Sequence, residues 1–514
     1  MTTTHPDPPT PRVMFQYSDA ELVFGLVGAV GTDLEHFQEK LEANLRAFEY
    51  QPNSVRLSGI LGQLDPEILD TIGVRLHTEP EYQRLKTYMD AGSKLRAQTR
   101  YGGILALHAV AEISRKRTQA STEFLPRTAH VLRSLKHDEE VRVLRRIYGA
   151  GFFLVGVFAV QPERQRLLEI RMSPLEAEEL IRRDEDEGSE LGQKTRDTFA
   201  LSDVFVRADQ AESELGRFLE LVFGNTTLTP TRDEHGMFMA YAASVRSGSL
   251  ARQVGAAIMT QHGEIIATGA NDAPMKGGGL YWPGLGDQRD AVRGRDSNDE
   301  QKARIVVEVM KALGIGAGPT GAERSDEEIW ADGRERLRNT QILDITEYGR
   351  DVHAEMDALL ACARIGVSPR GCTLYCTTFP CHNCAKHLVA AGIERVVYIE
   401  PYPKSRALTL HSDSITVDPH CAGEKVLFEP FVGVGPRRYF DLFSVMGIST
   451  GFSVNRKNRT DGTPVKYSRR NGKPKVPLLP QSYFERERSA AQDIVEFTNW
   501  LESTARRVRD ESPT

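Results

Sequence analysis

The sequence reads HAEMDALL at residues 353–360 and FPCHNCAK at residues 379–386. His353 offers one imidazole, and Cys381 and Cys384 offer two thiolates three positions apart, at the predicted start of a helix. One histidine and two cysteines leave the fourth position of a tetrahedral zinc ion (Zn2+) open to water. An open position is typical of a catalytic site, so we predict a catalytic zinc centre.

Glu355 follows the predicted histidine ligand by two residues, at a helix start from which it can reach the metal cavity without binding the ion. A carboxylate in that place can carry a proton from an activated water to a leaving amine. This H-x-E…P-C-x-x-C pattern is the signature of zinc nucleobase deaminases. A structural zinc knuckle with a fortuitous glutamate is the alternative, and the pairing of two half-motifs in the right order favours catalysis.

All six cysteines fall in the C-terminal third of the chain. They are Cys362, Cys372, Cys376, Cys381, Cys384 and Cys421. Six cysteines in 514 residues are too few for a disulfide framework, and their clustering indicates a metal site. We interpret Cys362, Cys372 and Cys376 as small core residues and not as further ligands.

Residues 373–399, together with residues 353–360, resemble the deoxycytidylate deaminases. The likeness consists of a Thr-x-x-Pro-Cys turn with Phe379 before the proline, an Ala-Lys pair after the second cysteine, and Ala-Gly-Ile before the next strand. The tRNA adenosine deaminases usually carry glutamate at the Phe379 position. The resemblance implies a cytidine deaminase-like α/β/α domain that acts on free deoxycytidine nucleotides.

The first hairpin of the same family is similar to residues 252–256 (RQVGA), followed by a Gly-x-Asn turn at residues 269–271. By this resemblance Asn271 contacts the sugar or base of the nucleotide, and Arg252 is a second predicted substrate-binding residue. An asparagine that simply suits a turn is the alternative for Asn271.

Near the N-terminus, residues 25–33 (GLVGAVGTD) follow an apolar run and precede apolar residues at helical spacing. A strand, a glycine-rich turn and a helix N-terminus can hold phosphate, which predicts phosphate binding at Gly25, Gly28, Gly31 and Thr32. The Walker pattern G-x-x-x-x-G-K-[ST] also needs a lysine, which is absent here. Packing of the strand against the helix, with no ligand, is the alternative.

The arginine-rich residues 132–149 resemble the deoxynucleoside monophosphate kinase-like proteins. A degenerate P-loop kinase-like parallel-sheet domain fused to a deoxycytidylate-type deaminase is similar to the bacterial anti-phage dCTP deaminases. That resemblance implies depletion of dCTP as defence, a homo-oligomer, and a first domain that binds a nucleotide effector instead of phosphorylating a substrate. In some relatives a small RNA restrains the enzyme. The basic tract of residues 451–480 is the predicted docking site, at the residues Arg456, Lys457, Arg469 and Arg470.

The domain boundaries follow from composition and from alternating strand and helix patterns. We predict a disordered tail over residues 1–15, a kinase-like domain over 16–225, a deaminase-like domain over 226–450 with an insertion at about 283–340, and a mobile basic loop with a C-terminal helix over 451–514. The insertion is predicted to hold one helix and no core of its own. The N-terminus lacks the pattern of a signal peptide and no apolar run reaches about 20 residues, so we predict a cytoplasmic protein without a membrane span.

Three other functions stay open. A housekeeping dCMP deaminase would need no partner domain of this size. A nucleic-acid cytidine deaminase would use residues 451–480 as its strand-binding groove, although the net charge of −6 argues against it. A nucleotide sensor would use the deaminase fold as scaffold, which the intact zinc and glutamate motif opposes.

Overall fold

The computed structural model describes residues 19–120, 124–316, 324–338, 340–445, 456–458, 460–475 and 480–510. The predicted disordered tail, residues 1–15, lies outside them. The strands are β1 (Leu22–Gly28), β2 (Gln51–Arg56), β3 (Thr128–Arg133), β4 (Phe152–Phe158), β5 (Val204–Arg207), β6 (Gly255–Met259), β7 (Ile265–Ala270), β8 (Thr373–Thr378), β9 (Arg395–Glu400), β10 (Ile415–Thr416), β11 (Val426–Pro430) and β12 (Gly433–Val434). The α-helices are α1 (Leu34–Ala47), α2 (Leu57–Leu61), α3 (Pro66–Thr71), α4 (Glu81–Thr99), α5 (Ile104–Gln119), α6 (Asp138–Tyr148), α7 (Gln161–Glu169), α8 (Pro174–Glu185), α9 (Thr195–Ala200), α10 (Ala211–Val222), α11 (Arg232–Ser244), α12 (Asp290–Arg293), α13 (Ser297–Ala312), α14 (Asp326–Arg336), α15 (Ala354–Ile365), α16 (His382–Ala390), α17 (Ala407–Leu410), α18 (Tyr439–Phe443) and α19 (Pro480–Asp510).

The chain divides into two compact units. The first unit comprises residues 1–231 and 432–514, and the second comprises residues 232–431. The sheet of the first unit has the strand order β12-β5-β4-β1-β3-β2, in which only β12 runs antiparallel to its neighbour. Along β1, Val23 and Val27 belong to one hydrophobic core, whereas Phe24 and Leu26 belong to another. Both faces of this sheet are therefore covered, as is usual for parallel sheets.

The sheet of the second unit has the order β10-β11-β9-β8-β6-β7. The hairpin β6–β7 is antiparallel, and β8, β9, β11 and β10 run parallel to one another. Leu374 and Cys376 of β8 join the core that also contains residues of α15 and α16. Tyr375 points to the other face, where α11 passes so close that a Cβ on Gly236 would lie 2.4 Å from its ring. The predicted α/β class with a deaminase-like α/β/α region is confirmed.

The second unit ends earlier than the predicted boundary at residue 450. β12 pairs with β5, and Arg438 forms an ion pair with Asp203 at 3.3 Å, so residues 432–445 pack with the first unit. The short, glycine-rich tract before residue 450 carries no pattern that reveals this long-range pairing. The sequence boundary was therefore wrong by about one strand and one helix.

The basic segment before α19 is partly fixed instead of wholly mobile. Lys475 is buried and its ammonium donates to the carbonyl of Leu442 at 2.6 Å. Arg469 donates to Glu220 at 2.7 Å. α19, which covers the predicted C-terminal helix, packs on α5 and pairs Glu487 with the buried Arg117.

The insertion contains more structure than the single predicted helix. α13 matches that prediction, but α14 packs beside it and forms a small core with it. The core residues are Val306, Val307, Met310 and Ile329. A capping box between Ser325 and Glu328 starts α14, and this signal was present in the sequence. Among the described residues, no helix combines the length and apolar content that a bilayer crossing requires.

Candidate active site

The three predicted zinc ligands meet in the second unit. The ligand atoms of His353, Cys381 and Cys384 lie within 4.8 Å of one another. Each cysteine sulfur is 3.4 Å from Nδ1 of His353. Among the described residues this is the one cluster of three such side chains with metal-ligand spacing. One nitrogen and two sulfur donors at these distances fit a zinc ion, and they leave its fourth position for water.

Two helix N-termini bring the ligands together. His353 is the residue before α15, and Cys381 is the residue before α16, where its sulfur accepts a hydrogen bond from the Cys384 N–H at 3.4 Å. Hydrogen bonds from Cys384 and then from His353 lower the pKa of the Cys381 thiol to about 4. A thiolate is the form that binds metal, and the positive end of a helix dipole favours it.

The start of α15 lies directly against β7. A Cβ on Gly269 of β7 would be 2.1 Å from the carbonyl oxygen of Ala354 and 2.5 Å from the nitrogen of Ala358. In addition, the N–H of Ala270 donates to Asp357 of α15 at 3.3 Å. Only glycine permits this contact, so β7 sets the position of the turn that carries His353 and Glu355.

Glu355 occupies the first turn of α15 and is only 4% exposed. Burial raises the pKa of its carboxyl group, and the nearby His353 opposes that effect. A carboxyl group with a raised pKa can both accept and return a proton near neutral pH. Glu355 follows His353 by two residues and does not belong to the group of three ligand side chains. Its role in proton transfer stays a prediction.

The other cysteines of the second unit do not join the cluster. Cys362, Cys372 and Cys376 lie in the hydrophobic core between the sheet and its helices. Burial raises the pKa of Cys376 well above its ordinary value, which keeps it a neutral thiol. Phe379, which distinguished the resemblance, also packs in the core, edge-on to Tyr398 at 4.9 Å between ring centroids.

Arg252 lies beside the end of β9 and is half exposed. Its guanidinium is 3.3 Å from Glu400 and stacks over the ring of Tyr402, 5.3 Å from the centroid. Phe379 donates its N–H to the carbonyl of Glu400 at 2.7 Å, two residues before the ligand Cys381. Arg252 therefore lies at the carboxyl edge of the sheet, on the same side as the metal ligands.

Asn271 is buried and its amide contacts the backbone that leads to Arg252. Its oxygen accepts from the Val254 N–H at 2.7 Å, and its nitrogen donates to the Arg252 carbonyl at 2.8 Å. These bonds hold the segment before β6 in place. In the structure Asn271 positions Arg252, whereas direct contact with a nucleotide stays a prediction.

Glu400, Tyr402 and Thr377 were not predicted from the sequence. Thr377 accepts a hydrogen bond from the Gly255 N–H at 3.1 Å and ties β8 to the start of β6. Glu400 accepts from the Thr378 hydroxyl at 3.3 Å as well as from Arg252. The position of Glu400 at the carboxyl end of a predicted parallel strand was a usable signal, because ligands bind at that edge of open α/β sheets.

The predicted phosphate-binding residues of the first unit separate into two groups. Gly28, Gly31 and Thr32 line a pocket at the carboxyl end of β1. Gly25 does not reach it, because it lies in the middle of β1, where a Cβ would meet Leu135 at 2.5 Å. Gly25 is thus a packing residue between the strand and its neighbours.

The family match lies almost wholly in the second unit. The family described as the cytidine and deoxycytidylate deaminase zinc-binding region matches residues 230–400. Deoxycytidylate deaminase of Enterobacteria phage T2 is 30% identical over 172 residues, which make up 33% of this chain and 79% of the phage protein. The Homo sapiens deoxycytidylate deaminase is 31% identical over 110 residues, 21% of this chain and 57% of the human protein. A solved structure of dCMP deaminase from cyanophage S-TIM5 matches 40% of this chain and 99% of its own, with 19% identity and a TM-score of 0.22.

The match to the T2 protein spans most of that protein's length. The family match at residues 230–400 includes His353, Cys381 and Cys384, whose ligand atoms lie close together. A zinc ion fits those three side chains, and the buried Glu355 lies two residues from one of them. We conclude that the chain belongs to the cytidine and deoxycytidylate deaminase family, and that it is a zinc-dependent deaminase.

Proposed function

We propose that the chain hydrolyses the C4 amine of a free deoxycytidine nucleotide, with dCTP as its main substrate. Water adds at C4 of the cytosine, the bond to the amino nitrogen breaks, and the products are the uracil nucleotide and ammonia. The observation that carries the proposal is the set of three ligand side chains beside the buried Glu355.

His353, Cys381 and Cys384 would hold the zinc ion, which supplies an activated water at neutral pH. Glu355 takes the proton of that water and delivers it to the departing amine. Because Glu355 is buried, its carboxyl group has little contact with bulk solvent. Arg252, half exposed at the same edge of the sheet, is a cation available to the phosphate groups of the substrate.

Deamination of dCMP is the second candidate. The named relatives from phage T2 and Homo sapiens are deoxycytidylate deaminases, which favours the monophosphate. The fused architecture favours dCTP. The family match covers residues 230–400, and a separate, mainly parallel sheet with its helices precedes that region. Such a fusion resembles the bacterial anti-phage dCTP deaminases.

Ammonia release from the purified protein distinguishes these substrates. We expect dCTP to react faster than dCMP, CTP to be a poor substrate, and cytosine within single-stranded DNA or RNA to react least. The Glu355→Ala variant should be inactive on every substrate, and a matched Glu424→Ala variant, at an exposed glutamate of the same unit, should retain activity. Preference for dCMP would establish the second candidate, and preference for oligonucleotides would refute the proposal.

The basic residues of the segment 451–480 give little support to a strand-binding groove. Arg469 is paired with Glu220 at 2.7 Å and Arg470 with Glu49 at 3.5 Å. These acids neutralise half of the four residues predicted to dock a small RNA. RNA restraint therefore stays a proposal that rests on resemblance, with Arg456 and Lys457 as its remaining basic residues.

The cellular role we propose is defence against phage through depletion of dCTP in the cytoplasm. Replication stalls when one of its four substrates is removed. Infection of cells that carry the intact chain or its Glu355→Ala variant, with nucleotide pools measured over time, tests this role. Protection that persists in the inactive variant, or unchanged dCTP in protected cells, would refute it.

A homo-oligomer is part of the proposal. Several apolar side chains of the second unit are at least two-fifths exposed on α15 and just after it, namely Leu360, Ile365 and Val367. Exposed apolar side chains grouped in this way are typical of an interaction surface.

A further inference from the structure

The first unit contains a pocket of about 440 Å³ at the carboxyl end of β1. It lies between the β1–α1 loop, α4 and the end of β3. Six basic side chains line it against three acidic ones. The basic residues are Arg56, Arg84, Arg96, Arg133, Lys136 and Arg171, and the acidic residues are Asp33, Glu35 and Glu81. Pockets of this volume hold small organic ligands, and the surplus of cations favours an anion.

Arg96 is the strongest sign of a missing partner. It is 1% exposed, and it forms one ion pair, from Nη2 to Glu140 at 2.9 Å. In the described part of the chain its Nε and Nη1 have no hydrogen-bond partner. A buried donor without a partner lowers stability, so such donors usually have an acceptor in the functional state.

Two further residues that line the same pocket also have a buried polar atom without a hydrogen-bond partner among the described residues. The Arg133 side chain is 11% exposed, its Nε lacks a partner among the described residues, and its Nη1 is 3.4 Å from the exposed Glu35. The hydroxyl of Thr32, in the loop before α1, is buried and also lacks a described partner. Three residues that line one pocket, and that come from three different elements, thus each have a polar atom without a partner among the described residues.

The backbone of the loop suits the same ligand. α1 has 14 residues, so its N-terminus carries a positive partial charge beside the pocket. Gly31 has φ +85°, and a Cβ there would be 2.6 Å from the carbonyl oxygen of Arg164, so only glycine fits this turn. Burial, and then the charges of Arg133 and Arg84, lower the pKa of Arg56, while Glu35 and Glu81 oppose the effect.

Lys136 differs from the arginines because its charge is already neutralised. Its ammonium is 2.8 Å from the buried Asp184 and donates to the Gly28 carbonyl at 2.8 Å. Asp184 in turn accepts from the Val30 N–H at 2.8 Å. Lys136 and Asp184 therefore fix the loop, and the arginines are left to meet the ligand.

We propose that this pocket binds the phosphate group of a nucleoside phosphate, with Thr32, Arg96 and Arg133 as its side-chain partners. A phosphate offers several acceptor oxygens to the unused donors, and the arginine fork matches its geometry. The rest of the ligand lies on the apolar wall of the pocket, which consists of Leu61, Leu85, Tyr88 and Met89. This inference concerns the first unit and does not depend on the deaminase substrate.

Isothermal titration of the full-length, zinc-loaded chain with ATP, dTMP and adenosine tests the proposal. We expect ATP or dTMP to bind and raise the Tm, and adenosine to do neither. Absence of binding by both phosphates, or equal binding of adenosine, would overturn the proposal. The binding measurement needs no deamination, so it can fail or succeed independently of the proposed enzymatic function.

Variants locate the site. Thr32→Val removes a hydroxyl that has no partner among the described residues, so the Tm without ligand should not fall while the affinity falls about tenfold. Arg133→Gln should weaken binding at least as much. Arg142→Gln, at an exposed arginine of α6, is the matched control and should bind as the wild type does. Unchanged affinity in Thr32→Val and Arg133→Gln would place the ligand elsewhere and refute the proposal.

Discussion

Replacement of Gly269 by alanine tests how β7 sets the catalytic turn. The new Cβ would lie 2.1 Å from the Ala354 carbonyl oxygen, and ordinary contacts begin at 3.4 Å. The Ala354 oxygen and the Ala358 nitrogen, which the new Cβ would approach to 2.1 and 2.5 Å, both belong to the backbone, so α15 must move away from β7 to make room. Overpacking of this kind costs typically about 1–3 kcal/mol. Ala354 lies between His353 and Glu355, so a shift of α15 displaces the predicted ligand His353 and the proposed proton carrier Glu355 together. A displacement of about 1 Å can lower the rate about 100-fold.

The assay for Gly269→Ala combines a thermal melt, zinc analysis and kcat/KM for deamination. We expect a lower Tm and a loss of about two orders of magnitude in kcat/KM. Gly423→Ala is the matched control, because a Cβ at Gly423 meets nothing within 4 Å. Wild-type Tm and activity in Gly269→Ala would show that the contact between β7 and α15 does not set the catalytic turn.

Four further predictions follow from the site and from the first unit. Glu355→Ala should abolish deamination and retain zinc, whereas Cys384→Ala should lose both, as metal analysis will show. Asp233→Asn should lower stability by about 1–3 kcal/mol near neutral pH, because the Asp233 carboxylate bonds Arg395 and Tyr375, each at 2.7 Å. Burial raises the pKa of Asp233, but the hydrogen bonds from Arg395 outweigh burial and the net pKa is lowered. The stabilisation by Asp233 is therefore present above about pH 4 and is lost as the pH falls through the lowered pKa. Urea melts of the wild type and the variant at several pH values measure the loss, and a stability difference that grows on acidification would contradict the prediction. ATP and dTMP together should give no phosphate transfer, because Lys136 is held by Asp184, and robust transfer that depends on Gly31 would refute the regulatory role of this unit. Light scattering at micromolar concentration should show a homo-oligomer, and a monomer would remove that expectation.

The metal centre could be predicted because its residues are local in sequence. His353 and Glu355 share one helix start, and Cys381 and Cys384 share another, so the spacing alone places each pair. The α/β class was equally accessible from alternating strand and helix patterns. The boundary at residue 450 was not, because the pairing of β12 with β5 joins segments more than 220 residues apart.

The glycines near the N-terminus also show which features the local sequence predicts and which features the tertiary structure decides. The pattern from residue 25 to 33 predicted a strand, a turn and a helix, and the structure contains them. It could not tell that Gly25 would face Leu135 and Phe152 while Gly31 would face the pocket. Which side of a strand meets a neighbouring element is decided by the packing of residues distant in the chain.

By itself, the sequence predicted the three side chains that cluster as metal ligands, the proton-carrying role proposed for Glu355 and the fold class, since short motifs and periodic patterns encode them within a few residues. Only the tertiary structure brought Arg96 of α4, Arg133 of β3 and Thr32 to one pocket, and Arg252 beside Glu400. Such groups come from separate helices, strands and loops, and their distances depend on how the strands order within each sheet. No local pattern records that order, because it is set by the burial of side chains across the whole core.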